Sequence, residues 1–326
     1  MRSGSRVAVV LAALLVMAGC AGGDSGVPAD VDVDVERPMP VGAQDAGELE
    51  PPPAEDGACD PTASLRPAGG LPSPGQMPSG STMAEIVDRG FLIAGVDQTT
   101  YLMGYRDPAA EGLSGFDIDL VNELSEALFG EPGNVRYVTV TSDQREQVLE
   151  EGTVDVVVRT MTVTCERWER VNFSSVYFEA GQRLLVHRDS GYEEVGDLAG
   201  ERVCSARGST SLRRLAAHDA GLVAVEVADW ADCLVMLQQG QVEGFSTDDT
   251  ILAGMARQDP QLHVVGDRFS SEPYGMAFNQ DDEDFVRFAN ALLAEMRQDG
   301  TWERMYNTWL TDLGPAPAPP AANYRD

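Results

Sequence analysis

Residues 154–178 read VDVVVRTMTVTCERWERVNFSSVYF, and the rest of the chain is organised around them. Residues 154–158 are an apolar run rich in β-branched side chains, the signature of a buried strand. The polar turn Arg159-Thr160-Met161-Thr162-Val163-Thr164 follows, then Arg167 and, beyond it, Phe173-Ser174. In an open α/β sheet, ligands bind just past the carboxyl ends of the strands. Arg159, Thr160 and Thr162 fall at such a position. Arg167 adds a planar fork that can grip a carboxylate with two parallel hydrogen bonds. The competing reading is a surface pair between Arg167 and Glu166 or Glu169.

Outward from this stretch, the chain alternates strand and helix. Residues 91–96 read as a strand ending at Asp97-Gln98, followed by a loop that carries Tyr101, Met103 and Tyr105. Gly115-Phe116-Asp117 opens a helix with Ile118, Val121, Leu124 and Leu128 on one face. A strand at 135–140 and a helix at 142–150 lead into the central stretch. This order predicts a parallel sheet in an α/β fold. A second series starts at residue 202. Its first strand, 202–206, empties into Arg207-Gly208-Ser209-Thr210-Ser211 at the start of a helix. Free N–H groups there suit an anion, although Ser209 or Thr210 can equally serve as an N-cap. The strand 242–246 ends at Thr247-Asp248-Asp249. Asp248 is placed either to hold an ammonium or to cap the helix 250–258.

The 326 residues carry 53 acids against 23 bases, all arginine, for a net charge of −30. No basic patch stands out, which argues against a nucleic-acid partner. Arg2 and Arg6, an apolar run at 7–16 and Met17-Ala18-Gly19-Cys20 read as a signal peptide over 1–19. The small residues before Cys20 resemble a lipobox. That implies lipidation of Cys20 and attachment to the outer face of the cell membrane; ordinary signal cleavage would leave a free thiol. Residues 20–80, rich in Pro, Gly and acids, are expected to form a disordered tether, and 314–326 a frayed tail.

Four cysteines remain, with three possible pairings. Cys204 lies on a strand and Cys233 on a helix returning beside it, so these two are paired; Cys59–Cys165 follows by elimination. No metal-ligand spacing is present, since no C-x-x-C occurs and the three histidines are scattered. No cofactor is expected. No Ser-His-Asp or Cys-His grouping suggests an enzyme.

Together, Gly115-Phe116-Asp117-Ile118-Asp119-Leu120, Thr162-Val163-Thr164 with Arg167, Val171-Asn172-Phe173-Ser174, Gly208-Ser209-Thr210 and Thr247-Asp248-Asp249 resemble family 3 extracellular solute-binding proteins. These are the polar amino-acid receptors of ABC importers. TDDTILAG and the pair Cys204–Cys233 point to the actinobacterial glutamate- and glutamine-binding lipoproteins within that family. The resemblance covers about residues 82–313. It implies a two-lobed, periplasmic-binding-protein-like (type II) fold, two doubly wound sheets joined by two hinge strands near Gly181 and Glu272-Pro273. Lobe 1 would comprise 81–181 and 274–313, and lobe 2 182–273. It further implies that Arg167, helped by Thr162 and the backbone of Thr210, grips an α-carboxylate. Asp248 would take the α-ammonium, and Asp97 and Thr160 would meet the side chain. The loop at 99–105 departs from the proline-rich aromatic segment of many relatives. Counting Arg159, Arg167 and Arg207 against Asp97 and Asp248 leaves one positive charge. That favours glutamate or aspartate, then glutamine or asparagine. The expected partners are an ABC permease or, alternatively, a membrane sensor protein with a kinase, and the expected state is a monomer.

Overall fold

The computed structural model describes residues 38–52 and 59–326; the expected signal segment and Cys20 lie outside them. In chain order come β1 (Gln44–Asp45), β2 (Ala63–Ser64), α1 (Thr82–Arg89), β3 (Leu92–Val96), β4 (Thr99–Thr100), β5 (Gly104–Tyr105), α2 (Phe116–Phe129), β6 (Val135–Thr139), α3 (Arg145–Glu150), β7 (Val156–Val157), α4 (Cys165–Trp168) and β8 (Val171–Phe173). Next are β9 (Phe178–Ala180), β10 (Gln182–His187), β11 (Arg202–Ala206), α5 (Thr210–Ala216), β12 (Val223–Val227), α6 (Trp230–Gln238), β13 (Gly244–Asp248), α7 (Asp249–Gln258) and β14 (Leu262–Val265). The series closes with β15 (Glu272–Tyr274), β16 (Ala277–Asn279), α8 (Glu283–Asp299), α9 (Thr301–Trp309) and β17 (Asn323–Tyr324).

Residues 39–326 carry two main sheets. The first has the order β6-β3-β7-β16-β8, with β6, β3 and β7 parallel and β16 antiparallel to β7 and β8. The second has the order β1-β12-β11-β13-β10-β14, parallel only over β12, β11 and β13. β7 (VV) is buried, and β11 (RVCSA) is buried on both faces apart from Arg202 at its start, as strands of a parallel sheet between helices are. Two crossings join the sheets, β9 and β15, paired antiparallel with Glu272 opposite Ala180 and Tyr274 opposite Phe178. They lie at the two hinges expected from the sequence. The fold is therefore α/β with two lobes. Phe116, Tyr177, Phe178, Trp302 and Tyr306 stack in the core of lobe 1; Trp230, Phe245 and Met255 anchor lobe 2.

Both expected disulfides are present, Cys59–Cys165 and Cys204–Cys233. Two expectations are corrected. The described part of the tether is pinned, with β1 adding an edge strand to lobe 2 and β2 pairing with β17. The tail is likewise held: Asp326 accepts from the Arg66 backbone N–H at 2.7 Å and pairs with Arg287 at 2.7 Å. The composition of these stretches cannot build a core, but each borrows an edge or an ion pair from the folded body. At the first helix, Ser81 is the N-cap, its Oγ accepting from the Ala84 N–H at 3.1 Å. Thr82, which has capping-box spacing with Glu85, instead donates its hydroxyl to Asp282 and Asp284.

Candidate functional site

The turn after β7 is strained where it meets the cleft. Thr160 has φ +38°, a left-handed conformation rare for a β-branched residue. Its N–H donates to Asp117 Oδ2 at 2.9 Å, and Tyr177 donates its hydroxyl to Asp117 Oδ1 at 2.9 Å. Asp117 thus clamps the turn from below. Burial raises its carboxyl to about 7, partly offset by these two bonds. Arg159 is fully buried and turns to Asp97, with Nη2 2.7 Å from Oδ2, while Nη1 donates to Ser142 Oγ at 2.7 Å. Asp97 also accepts from the N–H groups of Gln98 and Thr99 and from the Thr99 and Thr100 hydroxyls, so it folds the loop after β3. Asp97 and Arg159 therefore neutralise each other at the cleft floor. Arg159 Nε and Thr160 Oγ1 stay buried without a hydrogen-bond partner among the described residues.

Arg167 rises from the single turn of α4, whose N-cap Thr164 accepts from the Arg167 N–H at 3.2 Å. Its guanidinium is buried, which excludes the exposed pairing with Glu166 or Glu169. Nη1 donates to the Thr162 carbonyl at 2.6 Å, Nη2 to the Gly208 carbonyl of lobe 2 at 3.1 Å, and Nε lies 3.3 Å from Glu146. Desolvation, eased by Glu146 and Glu272, lowers its pKa.

On the lobe 2 side, Ser209 does cap α5, accepting from the Leu212 N–H at 3.0 Å. Thr210 points inward, donating to Glu272 Oε2 at 2.8 Å, and Thr162 donates to the same oxygen at 2.7 Å. One hinge carboxylate thus joins a hydroxyl from each lobe; Ser270 and Arg214 hold its other oxygen. Asp248 does not cap α7 with its side chain. Its Oδ2 accepts from Tyr274 at 2.6 Å and its Oδ1 from Ser211 at 3.2 Å. Burial, then the Glu272 charge, raise its carboxyl to about 8.

Arg207 lines the cavity along the lobe seam, with its guanidinium engaged at the rim, pairing with Glu226 at 3.1 Å and donating to the Gly42 carbonyl at 3.0 Å. Behind the lining of that cavity, at the contact between the lobes, lies Arg145 of α3, which has no signal of its own in the sequence. Arg145 is buried, and its partners among the described residues are carbonyl oxygens of Ser142, Arg159, Thr160 and Gly208 at 2.9–3.4 Å. Burial, then the charges of Arg167 and Arg159, depress its pKa. The sequence marks Glu272 only as a hinge residue, since a buried carboxylate on a crossover strand has no local signature.

Arg145, Arg167 and Thr162 of lobe 1 thus face Thr210 and Asp248 of lobe 2, and the lobes meet in a closed arrangement. A Cβ on Gly208 would lie 2.5 Å from Asp143 Cα, and one on Gly254 2.1 Å from the Tyr101 carbonyl oxygen. Thr99 donates to Asp229 at 2.6 Å, and Arg213 pairs with Glu166 at 2.8 Å. A cavity of about 310 Å³ opens along this seam, its lining including Glu146, Arg167, Arg207, Gly208, Ser209 and Thr210. A larger cavity of about 600 Å³ lies among Arg183, Asp249, Arg268 and Asp312, and none of the candidate residues opens onto it.

Residues 92–312 match the family described as bacterial extracellular solute-binding proteins, family 3. The ABC transporter glutamine-binding protein of Bacillus subtilis is 34% identical over 232 residues, covering 71% of this chain and 85% of its own. The glutamate-binding protein of Corynebacterium glutamicum is 29% identical, with 71% and 82% covered. Among solved structures, an ancestral arginine-binding protein bound to glutamine superposes with a TM-score of 0.63 at 31% identity, covering 68% of this chain and 98% of that one. A mutant of the arginine-binding protein of T. maritima gives 0.65 at 28%, covering 70% and 99%. A family match over residues 92–312, which takes in both main sheets apart from the edge strand β1, on a cleft built from both lobes, leads to one conclusion: this chain belongs to the family 3 bacterial extracellular solute-binding proteins.

Proposed function

We propose that the protein reversibly binds an acidic amino acid, glutamate or aspartate, by closing its lobes and delivers it to an ABC importer. The observation that carries this reading is Arg145, a buried guanidinium at the seam whose partners are carbonyls rather than a carboxylate. A ligand carboxylate reaching it would give this guanidinium a close anionic partner, which no carboxylate among the described residues supplies. Arg167 and Thr162 would take the α-carboxylate and Asp248 the α-ammonium. Arg159, Asp97 and Thr160 would shape the floor, with Arg159 Nε and Thr160 Oγ1 as further polar contacts; Ser209 would order the α5 start. The names of the relatives, glutamine- and glutamate-binding, support an amide or acid side chain.

Calorimetry with the common amino acids tests this. Glutamate or aspartate should bind most tightly and glutamine or asparagine next. Arg167→Ala should lose binding, since a desolvated charge-assisted pair is worth about 3 kcal/mol or more. Preferential binding of arginine or of an apolar amino acid would overturn the reading. Lipid attachment at Cys20 belongs to the same proposal. Mass spectrometry of the mature N-terminal peptide checks it, an unmodified thiol being the contrary result.

A further inference from the structure

Arg167 sits on a helix of four residues, too short to hold itself by its own hydrogen bonds. Its outer side is covered by two remote pieces of chain. Cys59 is bonded to Cys165 at the start of the turn. At its end, the Trp168 indole N–H donates to the Pro61 carbonyl at 2.8 Å. The Trp168 ring meets Phe173 edge-on at 5.4 Å on one side. On the other, the Arg325 guanidinium lies 4.2 Å from the ring centre. Arg325 is held there by the backbone: its N–H donates to the Ser64 carbonyl at 2.9 Å, and β17 pairs with β2 in parallel. Asn323 ties the same two segments together through Asp60 at 2.8 Å and Thr62 at 3.0 Å.

We propose that residues 59–64 and 323–326 form a brace whose role is to position Arg167 for ligand binding. The inference rests on the reading that Arg167 grips the ligand. A stacked cation on one face and a hydrogen bond at the indole edge fix Trp168 in two directions. Cys59 fixes the other end of the turn. Arg167, two residues from Cys165 and one from Trp168, has little freedom left between them. Its guanidinium spans only a few ångströms between the Thr162 and Gly208 carbonyls. A small tilt of α4 would therefore misalign both bonds at once.

The test is calorimetry on the full chain with L-glutamate, well below the melting temperature, in four variants and two combinations. Arg325→Ala removes an exposed cation and should leave the fold intact. It should weaken affinity about threefold, the worth of one exposed cation–π contact. Stopping the chain after Ala322 removes the whole β17 arm and should weaken it about tenfold. Arg325→Lys keeps a cation over the ring and should restore most of the affinity. Arg167→Lys should itself weaken binding while leaving enough to measure. Combined with it, Arg325→Ala and the truncation should each have little further effect, because they act through the same side chain. Wild-type affinity in Arg325→Ala and in the truncated chain, alongside a weakened Arg167→Lys, would overturn the brace. Additive losses in the combined variants would overturn it too, since they would mark general support of the lobe. Unchanged affinity in Arg167→Lys would refute the binding role of Arg167 first, and the brace with it.

Discussion

Asp248 makes ligand affinity depend on pH, and the sign follows from its surroundings. Without a cation nearby, burial and Glu272 hold its carboxyl at about 8. The free protein at neutral pH therefore keeps it mostly protonated. An α-ammonium beside it reverses the preference, and the bound state needs the carboxylate. Binding must then expel a proton at any pH below about 8. At pH 7 the release is about 0.9 proton per ligand, from a simple titration with that pKa. Between pH 6 and pH 7 affinity should rise about tenfold, and the gain should level off above pH 8. The ligand-free protein shows the opposite trend in stability. A carboxyl whose folded pKa lies above its unfolded value contributes stability that is complete below about pH 4 and lost as pH rises toward 8. Asp248→Asn keeps the shape and a carbonyl acceptor for Tyr274, but removes both the proton and the charge. It should bind at least about tenfold more weakly at pH 8 and lose the proton release. Calorimetry in two buffers of different ionisation enthalpy reads affinity and proton count together. A wild-type affinity that is flat from pH 6 to pH 8, with no proton released, would refute the role given to Asp248.

Arg145→Met should cost glutamate about tenfold or more in affinity but glutamine much less, because only the acid would lose a charge partner; equal losses by calorimetry would remove Arg145 from side-chain recognition. Gly254→Ala should hinder closure, since the new Cβ would lie 2.1 Å from a backbone carbonyl oxygen across the cleft. Small-angle scattering should then show less contraction on adding ligand than in wild type, and an equal contraction would mean that α7 shifts to make room. Replacing Cys204 and Cys233 together by alanine should lower stability by about 3–4 kcal/mol, the chain-entropy value for a loop closed over a separation of 29. Urea unfolding measures it, and a loss below 1 kcal/mol would mean that packing of Trp230 and Phe245 already holds that corner.

Much of this architecture could be read without coordinates because it is local. Alternating apolar strands and amphipathic helices announced two α/β series, and their strand ends placed Thr162, Arg167, Thr210 and Asp248 on facing edges. The pair Cys204–Cys233 was legible for the same reason, a strand and its returning helix being neighbours in space, and Cys59–Cys165 followed from it by elimination. What the sequence left open is which way a side chain turns once two distant segments approach. Arg207 and Arg145 both stand beside the cleft, yet Arg207 lines the cavity with its guanidinium held by Glu226 and Gly42 while Arg145 is buried against Gly208 of the other lobe. No charge count could choose between them, since the choice depends on partners 63 residues away in one case and 165 in the other. The two-residue strands β1, β2 and β17 were invisible for a related reason. Pairing through backbone groups over two residues imposes no side-chain period, so an acidic, proline-rich stretch looks structureless until a folded edge is there to receive it.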